Sequence, residues 1–181
     1  MKRSEDIEGG PCIKQLDTAR LRLREMTLAD AAAMGTIWGD AETMRWYPRA
    51  LTDAETEAWI GRQMSRYASG TGLLGMVLKE TGELIGDCGP TWQEVDGVAE
   101  VEIGYHVHRA HQGRGYATEA ARAVRGYAFA ELDRESVISL IRPENVPSRR
   151  VAEKNGMGLE RVVFWRDYEH CVYRVEREAA R

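Results

Sequence analysis

The sequence predicts an α/β fold of the α+β kind: a mixed, mostly antiparallel central sheet of about seven strands, flanked by helices. Three observations predict it. Stretches that alternate polar and apolar residues at every second position, such as Arg20-Leu21-Arg22-Leu23-Arg24, recur along the chain as half-buried strands do. Two threonine-led capping boxes announce helices between the first strand and the rest. A helix whose buried face is built from small residues then follows a glycine-containing turn.

The first strand is expected over residues 20–24. Thr27 with Asp30 forms the first capping box, for a helix over about 28–39. Thr52-Asp53-Ala54-Glu55 is the second; its helix runs to about Ser69, where Gly70 and Gly72 stop it. Residues 73–79 and 83–88, separated by Glu80-Thr81-Gly82, read as a hairpin, and two more strands complete this half. In the next strand Val101, Ile103, Tyr105 and Val107 share an apolar face, while Glu100, Glu102, Gly104 and His106 share the face free to meet a substrate. Ala117, Ala120, Ala121, Val124 and Ala128 recur at helical spacing, so that helix can pack close to a sheet. Residues 136–141 form a short apolar strand, Asn145-Val146-Pro147-Ser148 starts a last helix that ends at Asn155-Gly156, and 159–165 with 169–175 form a terminal hairpin around Arg166-Asp167-Tyr168.

A chain of 181 residues with 43% hydrophobic content fits one domain, expected over 18–181, behind a flexible leader over 1–17 that is polar and broken by Gly9-Gly10-Pro11. The net charge of −4 argues against a general nucleic-acid binder and is compatible with a cationic acceptor. Cys12, Cys88 and Cys171 lie far apart with no Cys-x-x-Cys, which suggests neither a disulfide framework nor a thiolate zinc site. Reduced thiols, no signal-like apolar run and no segment of membrane-spanning length make the expected location cytoplasmic, with no membrane partner.

Chemistry concentrates at His111-Gln112-Gly113-Arg114-Gly115-Tyr116-Ala117-Thr118-Glu119-Ala120, a turn that follows a strand and opens a helix. The first N–H groups of a helix lack intrahelical partners and carry partial positive charge, so a glycine-containing start exposes donors to an anion. A nucleoside-triphosphate loop would need Lys and then Ser or Thr after the second glycine, where this chain has Tyr116 and Ala117. The dinucleotide fingerprint would need glycine at Thr118. What remains is Gln-x-x-Gly-x-Ala from Gln112 to Ala117. It resembles the acyl-CoA pyrophosphate loop of the GNAT N-acetyltransferase superfamily, and Gly115-Tyr116-Ala117-Thr118-Glu119-Ala120 resembles in particular the branch of ribosomal-protein N-terminal acetyltransferases. The element order is also that of the superfamily, over about residues 18–176.

The resemblance implies an acetyl-CoA-dependent N-acetyltransferase. It implies that Gln112, Gly113, Arg114, Gly115, Tyr116, Ala117 and Thr118 hold the pyrophosphate, with Arg114 or Arg109 adding charge. It also implies that Tyr105, His106 and Val107 border the CoA arm, and that Asn145 and Ser148 meet it from the last helix. Asn145 is equally suited to cap that helix. For a base we single out Glu102, matching the strand-borne Glu of some family members, with Glu100 as rival. A backbone N–H near Val107, exposed by a bulge or splay, would face the developing oxyanion, and Gly104 would let the acyl group approach the strand. Many members use a Tyr as acid four residues before the closing glycine of the last helix; here that position is Ala152. Residues 145–157 instead resemble the ribosomal-protein branch, where a Ser at the position of Ser148 is proposed for that role.

His106, His108 and His111 make a metal reading conceivable, but a zinc site needs convergent ligands with supporting shells, and no metal is expected. Trp38, Trp46, Tyr47 and Trp59 suit either an acceptor pocket or a core. Asp87, Glu94, Asp96, Glu100 and Glu102 would attract an ammonium acceptor or merely form a solvated rim. The leading function is thus acetyl transfer to a primary amine, on a protein N-terminus or a small molecule, by direct attack in a ternary complex. The alternative is an acyl-CoA sensor without turnover. Stoichiometry is left open, a homodimer included.

Overall fold

A computed structural model describes residue 13 and residues 15–178. Twelve elements follow in order: β1 (Gln15–Asp17), β2 (Leu21–Arg24), α1 (Ala31–Trp38), α2 (Asp53–Tyr67), β3 (Leu74–Leu78), β4 (Leu84–Val95), β5 (Val98–Val107), α3 (Tyr116–Ala130), β6 (Ser136–Ile141), α4 (Val146–Lys154), β7 (Gly158–Trp165) and β8 (Tyr168–Glu176). They build one eight-stranded sheet in the order β1-β2-β3-β4-β5-β6-β8-β7. Every neighbouring pair is antiparallel except β5 with β6.

Two expectations are corrected. The strand expected to stop at Cys88 continues to Val95, because Asp96-Gly97, both at positive φ, forms a two-residue turn that folds β5 straight back on β4. The leader expected over 1–17 does not hold for its described residues: Gln15–Asp17 pair with Arg22–Arg24 as the eighth strand, and Ile13 is buried in the main core. Its remaining residues lie outside the described ones. Both capping boxes are present. The Thr27 N–H donates to Asp30 at 2.9 Å, ahead of a short 3-10 turn that leads into α1, and the Thr52 N–H donates to Glu55 at 2.9 Å at the start of α2.

The small face of α3 meets the sheet as its spacing requires. Ala120, Ala121, Val124 and Ala128 are all buried beside Leu21, Met76, Val101 and Ile103. Replacing Ala128 by Leu forces extra methylenes into that packing and is expected to cost about 1–3 kcal/mol. A lower urea midpoint at unchanged m-value checks it.

Candidate active site

The parallel junction of β5 and β6 creates the site. The crossover through α3 brings β6 beside β5, yet the two strands share a single registered pair, Glu102 with Ile138. Toward its C-terminal end β5 keeps its ladder with β4, from Val95–Val98 to Gly86–Val107, and loses it with β6. The His108 N–H still reaches the Ile85 carbonyl across β4 at 2.9 Å. By the alternation of a strand's backbone groups, those of Ile103, Tyr105 and Val107 therefore point toward the β6 side. The Ile103 carbonyl accepts from the Ser139 hydroxyl at 2.9 Å and the Val107 carbonyl from the Gln112 side chain at 2.9 Å, so side chains stand in for the absent strand contacts. This is the splay expected near Val107.

Glu102, Gly104 and His106 line the cavity that the splay opens, on the face predicted for them. The Glu102 carboxylate accepts from the Gln93 amide at 2.8 Å and is approached by the Thr91 hydroxyl at 3.4 Å. Burial pushes its pKa up, and bonds from Gln93 and the Leu140 N–H offset part of that rise. Its rival Glu100 is bound to Arg174 at 2.5 Å and lies outside the cavity lining. A Cβ placed on Gly104 would meet only Leu73 Cδ2, at 3.5 Å, so core packing does not demand glycine there.

His106 is more deeply set than a strand residue on an open face would be. It is 8% exposed, and its Nδ1 lies 2.8 Å from an oxygen of Asp87, which is fully buried. The other Asp87 oxygen accepts from Trp38 Nε1 at 2.8 Å. Burial alone lowers the imidazole pKa, but the charge of Asp87 and its hydrogen bond outweigh that and hold it above the usual histidine value. The three histidines part company: His111 Nε2 meets Glu83 at 3.0 Å, and His108 Nδ1 accepts from the Ala110 N–H at 3.4 Å. Among the described residues no group of three metal-ligating side chains gathers.

The loop before α3 is shaped by Gly113 at φ 73° and Gly115 at φ 84°, a region costly for side chains. Gln112, Gly113, Gly115, Tyr116, Ala117 and Thr118 line the cavity; Arg114 and Arg109 do not, and Arg109 lies 3.6 Å from Asp40. Arg20, which the sequence marks only as a strand residue, braces the loop from β2's side. Its guanidinium sits 4.5 Å over the Tyr116 ring, donates to the Arg114 carbonyl at 3.0 Å and binds Glu119 at 2.7 Å.

Across the cavity, Asn145 caps α4 by accepting the Ser148 N–H at 3.2 Å, and both residues line the cavity as well. The Tyr105 hydroxyl donates to the Ser148 carbonyl at 2.9 Å and ties α4 to β5. Ala152 is buried in the core. The aromatic residues divide between the two fates foreseen for them. Trp38 is fully buried with Met34 and Ile37, whereas Trp46, Tyr47 and Trp59 line the cavity, whose volume is about 1050 Å³. Of the five acidic residues, Asp87 is paired with His106 and Glu100 with Arg174, Asp96 lies 3.5 Å from Arg161, Glu94 is exposed, and Glu102 lines the cavity.

A strand splayed from its parallel neighbour, beside a glycine loop that opens a helix, is the arrangement foreseen from the loop motif. The sequence profile described as Acetyltransferase (GNAT) domain matches residues 20–158. The chain belongs to the GNAT acetyltransferase family. This GNAT enzyme is 37% identical over 151 residues to the uncharacterized protein YkkB of Bacillus subtilis (strain 168), covering 82% of this chain and 88% of that one. It is 31% identical over 164 residues to the uncharacterized N-acetyltransferase p20 of Bacillus licheniformis, covering 87% and 88%. A crystal structure of the acetyltransferase from Agrobacterium tumefaciens str. C58 superposes with a TM-score of 0.76 at 31% identity, over 96% of this chain and 99% of that chain. As a GNAT member the protein is an acetyl-CoA-dependent acetyltransferase.

Proposed function

We propose that the enzyme transfers acetyl from acetyl-CoA to a primary amine by direct attack in a ternary complex. The observation that carries this reading is the single registered pair between β5 and β6, which opens a cavity running from the loop amides past Gly104 to Glu102 and the aromatic wall. The residues fit a CoA thioester: a helix start with no side-chain cap for an anion, a strand edge for an amide-bearing arm, and a glycine where a reacting carbonyl must come close. Acetyl-CoA supplies an activated acyl group on a thiol leaving group. In this reading Gly113, Gly115, Tyr116, Ala117 and Thr118 offer the phosphate cradle, and Tyr105 and Val107 face the arm with their backbone. Gln112 fixes the cradle to β5, while Asn145 and Ser148 border the arm from α4.

An amine reaches the site as ammonium and must lose a proton before it can attack. Glu102 takes that proton, directly or through water; burial lifts its basicity toward the task and Gln93 aims it. Trp46, Tyr47 and Trp59 wall the acceptor side. Resemblance over 145–157 to the ribosomal-protein branch makes a protein N-terminus one acceptor class and Ser148 a candidate donor to sulfur. Polyamines, aminoglycosides and small amine metabolites are the others. A carboxylate held in the cavity weighs against a sensor without turnover.

Thiol release from acetyl-CoA, measured across a panel of these four amine classes, tests the reading. At least one class is expected to raise the rate well above hydrolysis and to gain one acetyl group; if none does, the proposal fails. Arg20→Ala removes the brace on the loop, so ordering it falls to the ligand, and Kd for CoA is expected to rise about tenfold by calorimetry.

A further inference from the structure

We propose that His106, held by Asp87, is the proton shuttle of the transfer: its Nε2 takes a proton from the attacking nitrogen and delivers it to the departing sulfur. The inference rests on the amine-acceptor reading above. Three observations lead to it. The buried Nε2 has no hydrogen-bond partner among the described residues, although the side chain lines the cavity. The imidazole is fixed, with Nδ1 on Asp87, Asp87 itself anchored by Trp38, and the Tyr47 ring 5.0 Å away. Gly104 lies midway between Glu102 and His106 on one face, so each side chain stands about 7 Å along the strand from the open position. A histidine kept only to join β4 to β5 would have no reason to leave its buried second nitrogen without a partner.

The geometry also supplies what Ala152 removes. An ammonium acceptor sheds two protons in becoming an amide. Glu102 receives the first and passes it to water. As the N–C bond forms, Nε2 receives the second, its partner Nδ1–H having been donated to Asp87. As the C–S bond breaks and its electron pair goes to sulfur, the imidazolium returns that proton to the sulfur. The thiol leaves protonated, the imidazole ends neutral, and one proton is released to solvent. Asp87 and Trp38 are positioning residues. The charged groups acting on the ring are Asp87 from β4 and Glu102 from β5, both raising its pKa; α1 presents the Trp38 indole and the segment after it the Tyr47 phenol.

Rates across pH with an amine that the panel identifies, paired with CoA calorimetry, test the shuttle. His106→Gln is expected to lower kcat about a hundredfold or more with CoA affinity within about twofold. Asp87→Asn is expected to move the acid limb of kcat/KM down by about one pH unit, because the ring loses the charge that raises its pKa. In the wild type, ¹⁵N NMR is expected to show the His106 ring protonated at Nδ1 when neutral and titrating at the midpoint of that limb, a readout that holds even if a variant fails to fold. A kcat within about threefold of wild type in His106→Gln, a parallel loss of CoA affinity, an unmoved limb in Asp87→Asn, or a ring titrating away from the limb overturns the shuttle and leaves the functional reading standing. A wild type without amine-dependent release overturns the functional reading and the shuttle with it.

Discussion

Glu102→Gln is expected to lower kcat by about 10²–10⁴, the span of a lost positioned base, while CoA binds as before. The amide keeps the shape of the carboxylate and its oxygen still accepts from Gln93, so what disappears is the capacity to take a proton. Loss of folding does not explain such a result, and the sign can be worked out. Burial raises the Glu102 pKa in the folded state, so the native protein binds that proton more tightly than the unfolded chain. Stability contributed by the group is present at low pH and is lost as pH rises from the unfolded value through the raised one. Above that window a neutral Gln is at least as well tolerated as the carboxylate. Thermal melting at pH 7 should accordingly find the variant as stable as the wild type or more so, and the acid limb owed to Glu102 should vanish from its rate profile.

Gly104→Val is expected to abolish measurable turnover without unfolding the protein. Its Cβ would touch only Leu73 Cδ2, at an ordinary 3.5 Å, and β-branched residues suit a strand, so the sheet accepts it. The two added methyl groups instead fill the cavity floor between Glu102 and His106, where a reacting carbonyl must lie within about 3–3.5 Å of its attacker. Gly104→Ala should give a smaller loss. Steady-state rates alongside melting temperature separate this outcome from one in which glycine merely relieves packing, for then stability would fall first.

Much of this was legible in the sequence because periodicity and turn chemistry are local. The alternation over 100–107 put Glu102, Gly104 and His106 on one face; all three line the cavity, as do the intervening Ile103, Tyr105 and Val107 where β5 parts from β6. The small face of α3 and both capping boxes follow from residues within a few positions of one another. The partners of those residues are nonlocal. Asp87 meets His106 across β4 and β5, and only the register joins them. The signal was nonetheless present: counting outward symmetrically from the Asp96-Gly97 turn pairs Asp87 with His106 and Thr91 with Glu102. That count would also have separated the Asp87 carboxylate from an acidic rim. No comparable signal marks Arg20, whose guanidinium reaches Glu119 and Tyr116 across the start of α3. Nor does one mark Ser139, which caps a carbonyl freed by the splay. The short polar β1 carries too few residues to show a period.

The pattern also accounts for the loop. The motif assigns phosphate to the backbone amides around Gln112, and the Gln112 side chain, which donates to the Val107 carbonyl, fixes the loop against β5. Arg114 reads as a charge donor, but what faces its backbone carbonyl is Arg20. The anion site proposed above is the row of backbone amides at the start of α3.

A crystal structure with a non-hydrolysable acetyl-CoA analogue tests the central claim most directly. The pyrophosphate is expected on the amides of residues 113–118, the pantetheine arm in the opening between β5 and β6 bonded by the backbone of Tyr105 or Val107, and the acyl carbonyl over Gly104 between Glu102 and His106. An arm that runs outside this opening, or an acyl group remote from Gly104, would contradict it.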